Sequence, residues 1–306
     1  MATDEASAPD WARYGRPIDL SETWTSHVMV LDAVGADRPQ RILELGPSAG
    51  QMTAILSEWG HRVTCIEIDP EAAAIAAPHA EQMVVGDLDA VDDRGNTLLD
   101  GFAGADFDAL IAADVLEHTR RPSEVLRQAM ACLRPDAEVH LSIPNVAHAD
   151  IRLALLGGEF DYVESGLMDR THIQMFTVAS LTRMIRDVGL APTSFRRADR
   201  PIGESEVPVD DVLVELGRRV LANDPDATTY QWVVTCRRSE FVDEPIWPDE
   251  DVDRHAIAGV GDLLAVADAP PPPPTSVRQD ANALSRRVLG GARRRVTALL
   301  GRSGDS

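Results

Sequence analysis

The 306-residue sequence contains no lysine, so all 29 of its basic residues are arginine. That absence, with the abundance of alanine, reads as the base composition of a GC-rich bacterial genome and not as a functional device. Cysteine is scarce: Cys65, Cys132 and Cys236 stand alone with no CxxC spacing. Such isolated thiols exclude a disulfide framework and a zinc ribbon, and they suit a reducing cytoplasm. No run approaches the roughly 18 apolar residues that cross a bilayer. Met1 to Asp10 is acidic and polar, without the apolar stretch of a secretory signal. Positive charge is in deficit too, with a net charge of −21, which argues against a nucleic-acid surface. No acid–acid–histidine group stands at ligand spacing along the chain, so a metal is not expected.

What is present is an alternation of apolar runs and helical patterns. Short apolar or β-branched strands are expected at Arg41 to Leu45, Arg62 to Ile68, Gln82 to Val85, Phe107 to Ala113 and Glu138 to Ile143. Helical patterns lie between them, from Gln51, from Asp69-Pro70 and from Pro122, after a first helix opening near Ser21 with Ser21 as its N-cap. This spacing predicts βαβ units in a mainly parallel α/β sheet. Further on, helices are expected at 147–156, 178–188 and 209–222, with a strand at 191–197 and a last, antiparallel strand at 228–236. The domain is expected to cover residues 18–238, preceded by an arm at 1–17. An acidic linker follows at 239–283, with five prolines from Pro270 to Pro274, and then a basic stretch at 284–306 carrying six arginines. A basic amphipathic tail offers contact with an anionic membrane or with a partner protein such as a glycosyltransferase.

Three loops carry chemistry. Glu44-Leu45-Gly46-Pro47-Ser48-Ala49-Gly50 joins a strand to a helix, where glycine lets the backbone turn and approach a ligand. Glu67 ends the second strand about 20 residues on, followed by Ile68, and a carboxylate there can accept both ribose hydroxyls. Gly86-Asp87-Leu88 follows the third strand, where Asp87 can accept from an adenine amino group. A nicotinamide enzyme would use a similar acid, but Gly46-x-x-x-Gly50 lacks the G-x-G-x-x-G spacing.

Over residues 38–238 this series resembles the class I S-adenosylmethionine-dependent methyltransferases. The resemblance implies a Rossmann-like, seven-stranded fold with S-adenosylmethionine as cofactor. Glu44, Gly46, Ser48 and Gly50 would then lie along its methionine portion, Glu67 and Ile68 at the ribose, and Asp87 and Leu88 at the adenine. In that family the first loop reads acid-x-Gly-x-Gly-x-Gly, and Ser48 takes the place of the middle glycine. Asp114-Val115-Leu116-Glu117-His118 resembles a motif of the subgroup holding ubiquinone-biosynthesis-type O-methyltransferases and enzymes encoded beside glycosyltransferases, which places Asp114 and Val115 beside the cofactor. The segment Asp169 to Thr177 resembles an Asp-x-x-His-x-x-x-Phe-Thr signature of polysaccharide and glycolipid methyltransferases.

A hydroxyl acceptor benefits from a base near neutral pKa, so His118, His148 and His172 are the candidate catalytic residues. The alternative for each is a structural role, with Asp169 and His172 bracing their loop. Tyr162, Arg152, Arg170 and Asp169 are candidates for shaping the acceptor pocket, on a lid at 146–176. The expected reaction is O-methylation, first of a sugar hydroxyl on a glycan, glycolipid or glycosylated natural product. The alternatives are a quinone or small aromatic hydroxyl, and a non-catalytic S-adenosylmethionine-binding partner of a glycosyltransferase. The expected location is cytoplasmic, with the tail able to reach the inner membrane face.

Overall fold

The structure is a computed structural model that describes residues 17–248. The arm at 1–16, most of the linker and the basic tail lie outside the described residues. Seven strands, β1 (Arg41–Leu45), β2 (Arg62–Glu67), β3 (Gln82–Val85), β4 (Phe107–Ala113), β5 (Leu133–Pro144), β6 (Leu190–Asp199) and β7 (Thr229–Arg238), form one sheet in the order β3-β2-β1-β4-β5-β7-β6. The first five pair in parallel. β7 runs antiparallel between β5 and β6, as the sequence leads one to expect.

The parallel strands are buried on both faces, which requires near-continuous apolar runs. In β1, Ile42 enters one core with Val63 and Ile111, while the next residue, Leu43, enters the other with Leu110 and Leu141. Helices α1 (Ser26–Val34), α2 (Gln51–Glu58), α3 (Pro70–Ala76), α4 (Pro122–Ala131), α5 (Ala149–Gly157), α6 (Val178–Asp187) and α7 (Asp211–Val220) complete the order of helices. Their starts follow from local chemistry. Asp69 caps α3 by accepting from the N–H groups of Glu71 and Ala72, with Pro70 in the first turn. Thr177 caps α6, which buries Val178, Leu181, Met184 and Ile185 at helical spacing.

Three boundaries differ from expectation by more than two residues. The first helix starts at Ser26, because Asp19 accepts from the N–H and hydroxyl of Ser21 and folds residues 19–22 into a turn. β5 starts at Leu133, ahead of the expected 138, since Leu133 pairs with Phe107 across a bulge and Arg134 is held by Asp108 at 2.6 Å. The chain also stays on the domain beyond 238. Ile246 donates its N–H to the Pro192 carbonyl, and Arg186 stacks over Trp247 at 4.2 Å. Among the described residues no helix is long and apolar enough to cross a membrane.

From β1 the chain moves outward to β2 and β3, then returns to the other side of β1 as β4. Loops leaving β1 and β4 therefore diverge above their carboxyl ends, and a ligand crevice belongs there.

Candidate functional site at the carboxyl edge of the sheet

The β1–α2 loop takes left-handed backbone at three alternate positions: Gly46 (φ 62°), Ser48 (φ 50°) and Gly50 (φ 78°). Ser48 thus adopts the conformation a glycine would take, at a cost that other residues rarely bear. A Cβ on Gly46 would fall 2.7 Å from Val115 Cγ2, and one on Gly50 would fall 2.6 Å from Ala76 Cβ. The loop is fixed to β2 by two bonds: Gly46 donates its N–H to the Ile66 carbonyl at 2.8 Å, and Ser48 donates to Glu67 Oε2 at 2.8 Å. Glu67 Oε1 accepts from the Asp69 N–H at 2.9 Å. Each Glu67 oxygen keeps lone-pair capacity beyond its one N–H.

The residues present fit an adenosyl ligand. Ile68, just past β2, and Val85, the last residue of β3, are exposed apolar side chains, offering an edge to a flat base. Asp87 is exposed, and one of its oxygens accepts from the Asp89 N–H at 2.8 Å, while Leu88 is buried beside it. Below the loop, Glu44 is 1% exposed; its Oε2 accepts from the Thr53 hydroxyl at 2.7 Å, while Oε1 has no hydrogen-bond partner. Burial pushes its pKa up to about 7. The Ser48 hydroxyl is likewise buried without a partner. Orphaned polar atoms under a glycine loop suit a polar ligand that satisfies them.

The β4 loop forms the other wall. Asp114 is left-handed (φ 55°), with its N–H donated to the Ser142 carbonyl. Its carboxylate accepts from Gln231 Nε2 and faces His27 Nε2 at 3.6 Å. Burial raises its pKa, against the opposing pull of His27 and His118. Glu117 follows in a short 3₁₀ turn, fully buried, with neither carboxylate oxygen hydrogen-bonded. Burial, then the Asp114 charge, holds its pKa well above the usual carboxylate range.

Residues 169–174 dock on this turn. Asp169 is buried and accepts from the Thr171 N–H at 2.8 Å and hydroxyl at 2.6 Å. The Glu117 carbonyl accepts from Ile173 and Gln174, both at 2.9 Å. His118 and His172 therefore meet edge to face, ring centroids 4.8 Å apart. Carbonyl oxygens only accept, so His118 Nδ1 donates to Thr171 O at 3.1 Å and His172 Nδ1 to Leu167 O at 3.2 Å. Each ring keeps its Nε2 lone pair. Burial, then the neighbouring His118, lowers the His172 pKa to about 4. His172 Nε2 lies 4.0 Å from Glu117 Oε1, and one ligand atom from each of Glu117, His118 and His172 falls within 4.8 Å of the others. Spacing along the chain does not reveal this group, because His172 comes from a segment remote in sequence from Glu117 and His118.

Four other sequence candidates have different partners. His148 is fully buried; its Nε2 donates to the Arg200 carbonyl at 2.9 Å and its Nδ1 accepts from the Asp150 N–H at 3.2 Å. Both nitrogens are engaged and burial lowers its pKa, and the ring caps α5. Arg152 pairs with Asp224 at 2.5 Å and donates to the Ala147 carbonyl, so it braces its own helix. Arg170 pairs with Glu164 at 2.9 Å on the surface. Tyr162 is half exposed and meets Phe160 edge to face at 5.8 Å. Its neighbour Val163 donates its N–H to Met168 O and accepts from the Arg170 N–H, which ties the 160–163 stretch of the lid to its His172 stretch. A cavity of about 330 Å³ beside α7, lined by Val207, Val214 and Arg218, includes none of these candidates.

Glu117, His27 and Gln231 were not among the expected site residues. A carboxylate inside the otherwise apolar Val-Leu-Glu run was the available signal for Glu117, whereas only tertiary structure brings α1 and β7 to Asp114.

A family model described as "Methyltransferase domain" matches residues 21–194. Among curated proteins, the ubiquinone biosynthesis O-methyltransferase of Xanthomonas axonopodis pv. citri is 29% identical over 154 residues, 49% of this chain and 62% of the relative. Its counterpart in Xanthomonas oryzae pv. oryzae is 30% identical over 132 residues, 42% of this chain and 52% of the relative. The chain thus spans between half and two thirds of the length of these relatives. Among solved structures, the Burkholderia thailandensis 1,6-didemethyltoxoflavin-N1-methyltransferase aligns over 70% of this chain and 76% of that one, at 21% identity and a TM-score of 0.43.

Proposed function

The chain belongs to the methyltransferase-domain family, and from that premise we propose that it methylates a hydroxyl oxygen of a small aromatic acceptor with S-adenosylmethionine. When bound, S-adenosylmethionine would supply a sulfonium-activated methyl group for in-line attack by an acceptor oxygen, the carbon–sulfur bond breaking to release S-adenosylhomocysteine, a neutral thioether. The observation that carries the cofactor assignment is the bond from Ser48 N–H to Glu67 Oε2. It locks the glycine-bearing turn to the carboxylate that would accept the ribose hydroxyls, so both are in place before any ligand arrives. Ile68 and Asp87 supply the apolar edge and the acceptor for the adenine.

On the acceptor side, His118 and His172 each keep an Nε2 lone pair at this edge of the sheet; with burial holding the His172 pKa at about 4, His118 is the one that serves the acceptor's hydroxyl as base. An aromatic acceptor is favoured over a sugar for two reasons. Phe160 and Tyr162 form an exposed aromatic pair on the lid, while Arg152 and Arg170 are each committed to a carboxylate. The names of the curated relatives point the same way. A sugar hydroxyl is the second reading, supported by the Asp169-to-Thr177 signature.

Calorimetry with S-adenosylhomocysteine tests the cofactor assignment, and Glu67→Ala is expected to abolish the heat of binding. Isotope-labelled S-adenosylmethionine, offered with a panel of catechols and with a panel of sugar nucleotides, tests the acceptor. Label passing only to the sugars refutes the aromatic reading. Binding without transfer to any acceptor favours a non-catalytic partner.

A further inference from the structure

We infer that Glu117, His118 and His172 form a binding site for one divalent transition-metal ion, held by a carboxylate oxygen and two imidazole nitrogens. Three independent observations converge on it. Each of the three residues places a ligand atom within 4.8 Å of the other two. Both rings donate Nδ1–H to a backbone carbonyl, Thr171 O and Leu167 O, so both are held in the tautomer whose Nε2 can ligate. Such second-sphere carbonyl bonds are how metal-ligating histidines are oriented. The Glu117 carboxylate is 0% exposed with neither oxygen hydrogen-bonded. A buried carboxylate left alone is costly, and a cation coordinated at that point would offset the cost.

The donor set selects the class of ion. Two imidazoles with one carboxylate suit zinc, iron or cobalt, whereas calcium and magnesium take mainly oxygen ligands. Bonds of about 2.1 Å in tetrahedral geometry put ligand atoms about 3.4 Å apart. The observed 4.0 Å between His172 Nε2 and Glu117 Oε1 must therefore close by about 0.6 Å, and the widest separation in the group, within 4.8 Å, by up to about 1.4 Å, through rotation of the three side chains. Three protein ligands leave at least one coordination position open, as at catalytic sites and unlike structural ones.

The site stands on these contacts alone; its catalytic consequence rests on the methyl-transfer reading. An acceptor hydroxyl entering the open position would bind through oxygen, its O–H bond would break, and its proton would pass to solvent water. The ion would stabilise the resulting oxyanion, and His118 and His172 would act as ligands instead of bases.

The test uses the untagged full chain, freed of metal by a chelator, titrated with Co²⁺ and followed by its visible absorption. S-adenosylhomocysteine binding is measured in parallel. One equivalent is expected to bind the wild type, with Glu117→Gln and His172→Ala each weakening it at least ~100-fold, since loss of an outer-sphere partner alone costs 10–100-fold. Equal Co²⁺ affinity in the wild type and in both variants overturns the site. Should either variant fail to fold, the wild type decides alone, and absence of Co²⁺ binding is refutation. Nucleoside binding without Co²⁺ binding removes only the metal site. Co²⁺ binding without nucleoside binding removes only the methyl-transfer reading.

Discussion

Replacing Ser48 by glycine should stabilise the domain while weakening its hold on the methyl donor. Ser48 sits at φ 50°, where an L-residue with a Cβ pays about 1–2 kcal/mol relative to ordinary backbone. Its hydroxyl is buried with no partner, a penalty of about 1–3 kcal/mol that deletion removes. Against these gains, glycine loosens the unfolded chain by roughly 0.4–1 kcal/mol. The balance favours Ser48→Gly by roughly 1–2 kcal/mol after allowing for partial overlap of the two gains. For a domain of this size that raises the melting temperature by roughly 2–8 °C. Ser48→Ala keeps the backbone strain and removes only the hydroxyl, so its gain should be smaller. Differential scanning calorimetry orders the three proteins, and titration with S-adenosylhomocysteine reads the cost. If the hydroxyl awaits the ligand, both variants bind more weakly than the wild type. A properly folded Ser48→Gly protein that melts below the wild type would refute the strain account. Unchanged affinity in both variants would refute the role given to the hydroxyl.

Other outcomes follow from the same contacts. Glu67→Gln should weaken S-adenosylhomocysteine binding by roughly 10–100-fold, the worth of one to two charge-assisted hydrogen bonds, as read by calorimetry. His148→Ala should lower the urea midpoint by the equivalent of about 2–3 kcal/mol, because it leaves the Arg200 carbonyl and the Asp150 N–H without their partner. The turnover of the folded fraction should stay unchanged, and a large fall in kcat would instead make His148 catalytic. Glu44 sets a pH dependence of stability. Its folded pKa of about 7 lies above the unfolded value near 4.5, so its contribution is full below pH 4.5 and is lost as pH rises toward 7. The melting temperature of the wild type should fall over that window more than that of Glu44→Gln, and parallel curves would remove Glu44 as the cause.

The parallel half of the fold was legible because buried strands must be apolar on both faces, and Arg41 to Leu45 and Phe107 to Ala113 can be little else. Boundaries set by single side chains were not. Ser21 resembles an N-cap, yet Asp19 claims both its N–H and its hydroxyl for a turn. The placement of the loops proposed to hold the cofactor was readable because each follows its own strand at a fixed interval. The acceptor side was not, because histidine types say nothing of their partners: His148 and His172 look alike in sequence, but one ring spends both nitrogens on the backbone and the other spends one. The Glu117 cluster escaped for a related reason, since His172 reaches it only when the Glu117 carbonyl captures the N–H groups of Ile173 and Gln174.

The contact between Gly46 and Val115 has a consequence for engineering. A Cβ on Gly46 would overlap the Val115 side chain, so a change in one turn has to be matched in the other. Chimeras that take one turn from one parent and the second from another would inherit surfaces shaped for different neighbours, and in a close-packed interior such mismatches are felt at the scale of a single methylene. Crossovers meant to graft a new acceptor lid are therefore best placed after His118, where both turns stay whole and travel together.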